Sequence, residues 1–205
     1  MQSANPIIKN ILGELVKLRV PSSGLSKVFQ VLFENCPVEG LENVSEKEKY
    51  AWLAGLIDGE GCIGLYKQNR RCFTYERQKN GKYKRVLKSI GEQFNYYCLL
   101  RITNNFFELM ITLLKYFRGK VQVTAHYQYG TFTFNWRPED QNYLREILQN
   151  VLPYLVVKKQ LAGLLLKAIG LKKINAIHPD LEEIYYQFRQ LQGNKSKGGR
   201  KKKCK

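Results

Sequence analysis

Apolar positions recur at helical spacing over Ile7–Val20 and again over Leu25–Glu34, and Pro21-Ser22-Ser23-Gly24 interrupts the pattern between them. Two short helices are therefore expected at the start of the chain. After Pro37 and Gly40, Ser45 stands three residues before Glu48, the spacing of a capping box, so a third helix is predicted from about Glu46 to Gly59. From Cys62 the pattern turns to strand. A long ribbon reaches about Gln78, Asn80-Gly81 is a turn signal, a return strand runs through Ser89, and Glu92–Thr103 reads as a further aromatic-rich strand. Apolar residues at 106, 107, 109, 110, 113, 114 and 117 restore helical spacing over Phe106–Phe117. Val121, Val123 and Ala125 then alternate with Gln122, Thr124 and His126. Past Tyr129-Gly130, Phe132, Phe134 and Trp136 alternate with Thr131, Thr133 and Asn135, which predicts a hairpin with one apolar and one polar face. Helices over about Asp140–Leu152, Lys159–Leu171 and Pro179–Leu191 complete an α+β pattern with an antiparallel sheet.

Charge adds a partner to this picture. The formal net charge is +17, yet 44% of the residues are hydrophobic, enough to bury a core and to exclude a disordered basic protein. Residues 1–49 are neutral, residues 50–138 carry +9, residues 139–192 carry +1 and residues 193–205 carry +7. Within the second block the excess gathers in Lys67, Arg70, Arg71, Arg77, Lys79, Lys82, Lys84, Arg85 and Lys88, interleaved with Tyr66, Phe73, Tyr75 and Tyr83. Such interleaving on a folded chain predicts a phosphate-contacting surface, and nucleic acid is the partner it suits. The tail Lys195–Lys205 has almost no apolar residue and is expected to be disordered. Apolar stretches such as Leu161–Leu166 fall far short of the roughly 20 residues of a membrane span, so no membrane partner is expected. Five scattered cysteines without a CxxC pair, and only two histidines, make a zinc site improbable and point to an intracellular protein.

The most informative segment is Trp52–Gly61. Ala51, Gly55 and Gly59 fall at i, i+4 and i+8, one stripe of a helix almost without side-chain bulk. Each glycine costs about 1 kcal/mol relative to alanine in a helix, and close approach of another backbone is the usual compensation. Asp58 and Glu60 sit at the C-terminal end, where the macrodipole disfavours negative charge by roughly 0.3–1 kcal/mol. A cation would reverse that penalty, since hard carboxylates and helix-end carbonyls suit Mg²⁺. At i and i+2 the two acids point to different sides, one for structure and one for metal.

Leu53-Ala54-Gly55-Leu56-Ile57-Asp58-Gly59-Glu60-Gly61 resembles, nearly letter for letter, the signature of the LAGLIDADG homing endonucleases. The resemblance extends in pattern over about Tyr50–Leu191 and implies an αββαββα core. It places a helical N-terminal extension over residues 1–45, the endonuclease domain over 46–192 and the basic tail over 193–205. It implies paired motif helices packing through Ala51, Gly55 and Gly59, with Asp58 at the same helix end in a structural role. Glu60 is implied as the principal divalent-metal ligand, helped by the Gly59 carbonyl. Pro153-Tyr154-Leu155-Val156-Val157-Lys158 is similar to a family segment whose lysine polarises the attacking water or stabilises the phosphorane-like charge. Lys158 takes that role here, with Lys159 as the neighbouring alternative. Asn104 matches a water-positioning residue, whereas Phe107 and Glu108 stand where some relatives carry a basic group.

A second motif is absent. Lys159–Ile169 contains Leu161-Ala162-Gly163-Leu164-Leu165-Leu166, but Leu166 and Ala168 replace the two acids. One chain then supplies half of a paired site, so a C2 homodimer on a (pseudo)palindromic double-stranded DNA target is expected. Strand parity assigns the DNA-reading side chains: Tyr66, Gln68 and Arg70, with Arg71 beside them; Asn95, Tyr97 and Arg101; and Gln122, Thr124, His126, Thr131, Thr133 and Asn135 on the hairpin. The expected activity is site-specific, Mg²⁺-dependent double-strand cleavage, with an RNA splicing cofactor or a non-cleaving DNA-binding protein as the alternative. An intron-encoded member of the family would reside in a chloroplast or mitochondrion.

Overall fold

In a computed structural model, the chain is described over residues 5–34, 40–78, 82–174 and 178–193, with side chains described over 10–31, 40–69, 76–78, 82, 94–172 and 178–193. The order of elements is α1 (Asn5–Lys17), α2 (Ser22–Glu34), α3 (Glu46–Glu60), β1 (Gly61–Arg77), β2 (Tyr83–Asn104), α4 (Phe107–Tyr116), β3 (Gly119–His126), β4 (Thr131–Pro138), α5 (Gln141–Val151), α6 (Lys159–Ile174) and α7 (Asp180–Leu191). The fold is α+β, as the periodicity predicts. The sheet is antiparallel with strand order β1-β2-β4-β3. Where the sequence suggests a strand to Ser89 followed by another from Glu92, β2 is one strand of 22 residues. Gly91 weakens a strand without ending it, because ladder pairing does not require a side chain.

The chain divides into two compact units, one within Met1–Ile63 and Leu99–Lys159 and the other within Gly64–Cys98 and Gln160–Lys205. In the first, α1 and α2 pack against α4 and the hairpin of β3 and β4. Leu12, Val16, Leu25 and Phe29 are buried together with Leu53, Ile57, Ile102, Phe107, Phe134 and Trp136. The Phe29 ring lies 5.3 Å from that of Phe107 and 5.1 Å from that of Phe134. Helix α2 also seals the edge strand β3: the Val123 N–H donates to Ser26 Oγ at 3.0 Å and the Ala125 N–H to Ser22 Oγ at 3.2 Å. An exposed strand edge is a template for unwanted pairing, and two serines one helical turn apart occupy its donors. Their spacing was readable in the sequence, but nothing there said which strand they would meet.

In the second unit, Leu165, Ala168 and Ile169 of α6, Leu181, Ile184 and Phe188 of α7, and Leu65, Tyr96 and Cys98 of β1 and β2 are buried. Lys67 belongs to this covered side. Its ammonium pairs with Glu182 Oε1 at 2.5 Å and lies 3.8 Å from the centroid of the Phe94 ring. The Tyr96 hydroxyl donates to the other oxygen of the same carboxylate. Lys67, counted from the sequence among the basic ribbon charges, is thus neutralised within the fold. Lys67 shares strand parity with Leu65, and the carboxylate that meets it lies 115 residues away.

Candidate active site and nucleic-acid interface

Helix α3 begins with the predicted capping box. The Glu48 N–H donates to Ser45 Oγ at 3.4 Å and the Ser45 N–H donates to Glu48 Oε2 at 2.9 Å. Leu53, Ala54 and Ile57 anchor one side of the helix in the core. The opposite side is open: Gly55 and Gly59 are exposed, and a Cβ built on either would meet nothing within 4 Å. Packing within the chain therefore does not require glycine at these positions. Gly61 is different, since a Cβ there would lie 2.7 Å from the Ile57 carbonyl oxygen. The sequence reading placed Gly61 in the motif without this reason for it.

The two acids at the end of α3 have opposite surroundings. Asp58 Oδ2 accepts from the Val156 and Val157 N–H groups at 2.7 and 3.1 Å, and its Oδ1 from the Lys158 N–H at 2.8 Å. Burial alone would raise the Asp58 pKa, but the three backbone donors, aided by the Lys158 charge, outweigh it and hold the carboxyl below its ordinary value. In return, Lys158 Nζ donates to the Ile57 and Asp58 carbonyls, each at 2.7 Å. That places a cation on the negative end of the α3 dipole, adding a donor to the Ile57 carbonyl, which also accepts from the Gly61 N–H, and supplying one to the Asp58 carbonyl beyond it. Asp58 and Lys158 thus tie the helix end to the loop after α5, and Leu155 anchors the loop in the core. Glu60, by contrast, is exposed, and its carboxylate has no hydrogen-bond or ionic partner among the described residues.

An ammonium has three donors and two are engaged, so Lys158 retains one N–H for a further acceptor. Asn104 is partly engaged as well. Its Oδ1 accepts from the Asn105 and Phe106 N–H groups at 2.7 and 3.0 Å, bracing the turn that leads into α4 and leaving the amide nitrogen available. Phe107, at the point of departure from the family pattern, is a fully buried core residue.

No cluster of three or more His, Cys, Asp or Glu side chains that could hold a metal occurs among the described residues. The donors at the α3 terminus nevertheless suit Mg²⁺, which is commonly held through one or two carboxylates together with waters and substrate phosphates. Glu60 supplies one such carboxylate. The Gly59 carbonyl lies one residue beyond the carbonyls that Lys158 holds.

The candidate DNA-reading residues follow strand alternation. Tyr66 and Gln68 are exposed on the side of β1 opposite Leu65. On β2, Asn95 and Tyr97 lie opposite Tyr96 and Cys98, and Arg101 lies opposite Leu100 and Ile102. On the hairpin, Gln122, Thr124 and His126 share a face with Thr131, Thr133 and Asn135, away from Val123, Phe134 and Trp136. The side chains of Arg70 and Arg71, like the tail after residue 193, lie outside the described residues. Thr103, absent from the sequence-based set, joins this face: its hydroxyl donates to Asn135 Oδ1 at 2.8 Å. Its parity with Arg101 would have identified it.

The fold is that of the homing endonucleases. The structure of the homing endonuclease I-CvuI in complex with a DNA target in the presence of Mg superposes with a TM-score of 0.53 and 20% identity, covering 73% of this chain and 85% of that one. The meganuclease I-SmaMI bound to uncleavable DNA gives 0.49 at 20% identity, over 91% of this chain and 57% of that one. The homing endonuclease I-TnaI gives 0.47 at 15% identity, over 70% and 92%. Only the first of these exceeds 0.5, and at that identity the likeness is one of fold. No protein-family model and no curated protein matches the sequence.

Proposed function

We propose that this chain is a site-specific DNA endonuclease of the single-motif LAGLIDADG type, acting as a homodimer with a divalent metal, Mg²⁺ foremost, on a long (pseudo)palindromic duplex. The observation that carries the proposal is the Glu60 carboxylate, exposed and unpartnered at the end of a helix whose glycine side is open. A second copy of α3 laid along Ala51, Gly55 and Gly59 would bring two such carboxylates together. Val156 and Val157, whose N–H groups hold Asp58 at the same helix end, are 83% and 76% exposed and add apolar surface that water does not favour.

Each residue then has a task. Glu60 and the Gly59 carbonyl hold the cation, which when bound lowers the pKa of a coordinated water and stabilises charge on the phosphate. The third Lys158 donor stabilises negative charge that develops at the phosphorus, and the clamp with Asp58 keeps that ammonium from wandering. The Asn104 amide nitrogen donates to a water or phosphate oxygen. The polar sheet face lies in the major groove, which admits a β-ribbon.

The test is incubation of the purified chain and Mg²⁺ with a duplex library, followed by sequencing of cut ends. Cleavage at one sequence family is expected; intact DNA under saturating binding would reduce the chain to a binding protein. Binding should also weaken by roughly 10³–10⁵ between 50 and 200 mM salt if about six to ten phosphates are neutralised. A flat salt dependence would remove the sheet charges from the interface.

A further inference from the structure

Two amide side chains face each other on the polar side of the hairpin, and their circumstances differ. Asn135 and Gln122 are direct cross-strand partners. Gln122 is exposed and has no partner among the described residues. Asn135 uses both ends of its amide within the sheet: Oδ1 accepts from the Thr103 hydroxyl at 2.8 Å, and Nδ2 donates to Thr124 Oγ1 at 2.9 Å. The row crosses β2, β4 and β3, with Thr103 paired to Asn135 in register and Thr124 one diagonal step away. All three side chains are partly exposed. Asn135, placed from sequence among the DNA-reading side chains, is therefore unsuited to a bidentate contact with adenine, because that contact needs the carbonyl and the amide nitrogen together.

The row has a sense. A hydroxyl has one hydrogen and two lone pairs. Thr103 spends its hydrogen on Asn135, so toward DNA it presents lone pairs only. Thr124 receives a hydrogen from Asn135, so its own hydrogen is left for another acceptor. We propose that Asn135 is a positioning residue that sets Thr124 as a donor and Thr103 as an acceptor on the base-reading face, while the open Gln122 amide reads directly. This rests on the DNA reading above and assigns it a specificity element. A donor at Thr124 matches an acceptor edge in the major groove, such as guanine O6 and N7 or thymine O4. An acceptor at Thr103 matches an exocyclic amino group on adenine or cytosine.

Selection of bound duplexes from a randomised library, using the full chain, tests this with two variants. The wild type is expected to prefer an acceptor edge at one base pair by on the order of tenfold. In Asn135→Asp no amide hydrogen remains, so Thr124 must donate into the sheet, and the preference at that base pair is lost or moves to an amino-bearing edge. Thr124→Val, a strand-compatible replacement of the same shape, should erase preference at that same base pair while leaving the others intact. The added charge of Asn135→Asp weakens all sequences alike, which the ratio of sequences removes. Unchanged preferences in either variant would overturn the proposal, as would effects at two unrelated base pairs. A wild-type chain that selects no sequence at all would instead sink the DNA reading, and this proposal with it.

Discussion

Two carboxylates two residues apart occupy opposite sides of one helix end, and the fold treats them differently. On the Asp58 side every acceptor is used: three backbone N–H groups converge on the carboxylate, and Lys158 returns its ammonium to the carbonyls. The Glu60 carboxylate is exposed, and along the same helix Gly55 and Gly59 have no neighbour within 4 Å of the side chains they lack. A satisfied acid stabilises the chain that contains it. An unsatisfied one is open to partners from outside the chain, which is the role proposed for Glu60 above. The same contrast recurs in the second unit, where Glu182 is saturated by Lys67 and Tyr96.

The sharpest way to break this comparison is Glu60→Gln. Shape is retained and the charge that would hold a cation is lost, so cleavage should fall by orders of magnitude, with thermal stability and DNA binding nearly unchanged. Full cleavage in that variant would move the metal elsewhere. Gly55→Leu probes the open side. Because a side chain there meets nothing in its own chain, the folded monomer should be as stable or more so, by about 1 kcal/mol from helix propensity. Dimerisation on DNA should nonetheless fail, which sedimentation of the complex would detect; a variant that still assembles and cuts would place the second half-site on another surface.

Asp58→Ala should act in the opposite sense to Glu60→Gln. Losing a charged acceptor of three backbone donors costs about 2 kcal/mol, read as a lower midpoint in urea unfolding, with cleavage reduced only as far as Lys158 shifts. If stability is unaffected, the clamp is not what holds the loop.

The smallest effect concerns pH. The salt bridge to Lys67 comes first among the causes that lower the Glu182 pKa, followed by the Tyr96 hydroxyl, and together they overcome burial. A folded-state pKa below the unfolded one gives stability that is present above about pH 4.5 and disappears as pH falls through the depressed value. Thermal melting of Glu182→Gln should therefore lose part of the acid sensitivity below pH 4.5 that the parent chain shows. Parallel melting curves for the two proteins would mean that the cluster adds nothing to folding. Tyr96 remains a donor throughout this range, since burial and then the Glu182 carboxylate push its pKa well up.

The alternation of apolar and polar residues along the hairpin determined which side chains share a face, because strand geometry repeats every two residues whatever surrounds it. The glycine spacing of α3 likewise determined that one side of the helix lacks bulk, and Ser45 with Glu48 determined where that helix starts. These are local properties, written within a few residues of chain. The tertiary structure alone decided that Ser22 and Ser26 cap the edge of β3 and that Lys67 meets Glu182 rather than solvent. It also decided that Asp58 is closed by residues 156–158 while Glu60 is not, and that Asn135 holds Thr103 and Thr124 instead of standing open. Apart from the 11-residue step from Asn135 to Thr124 across the hairpin, each partner lies 32 to 115 residues away. Its identity depends on which surfaces the packed core brings within 3 Å, a distance that no local pattern encodes.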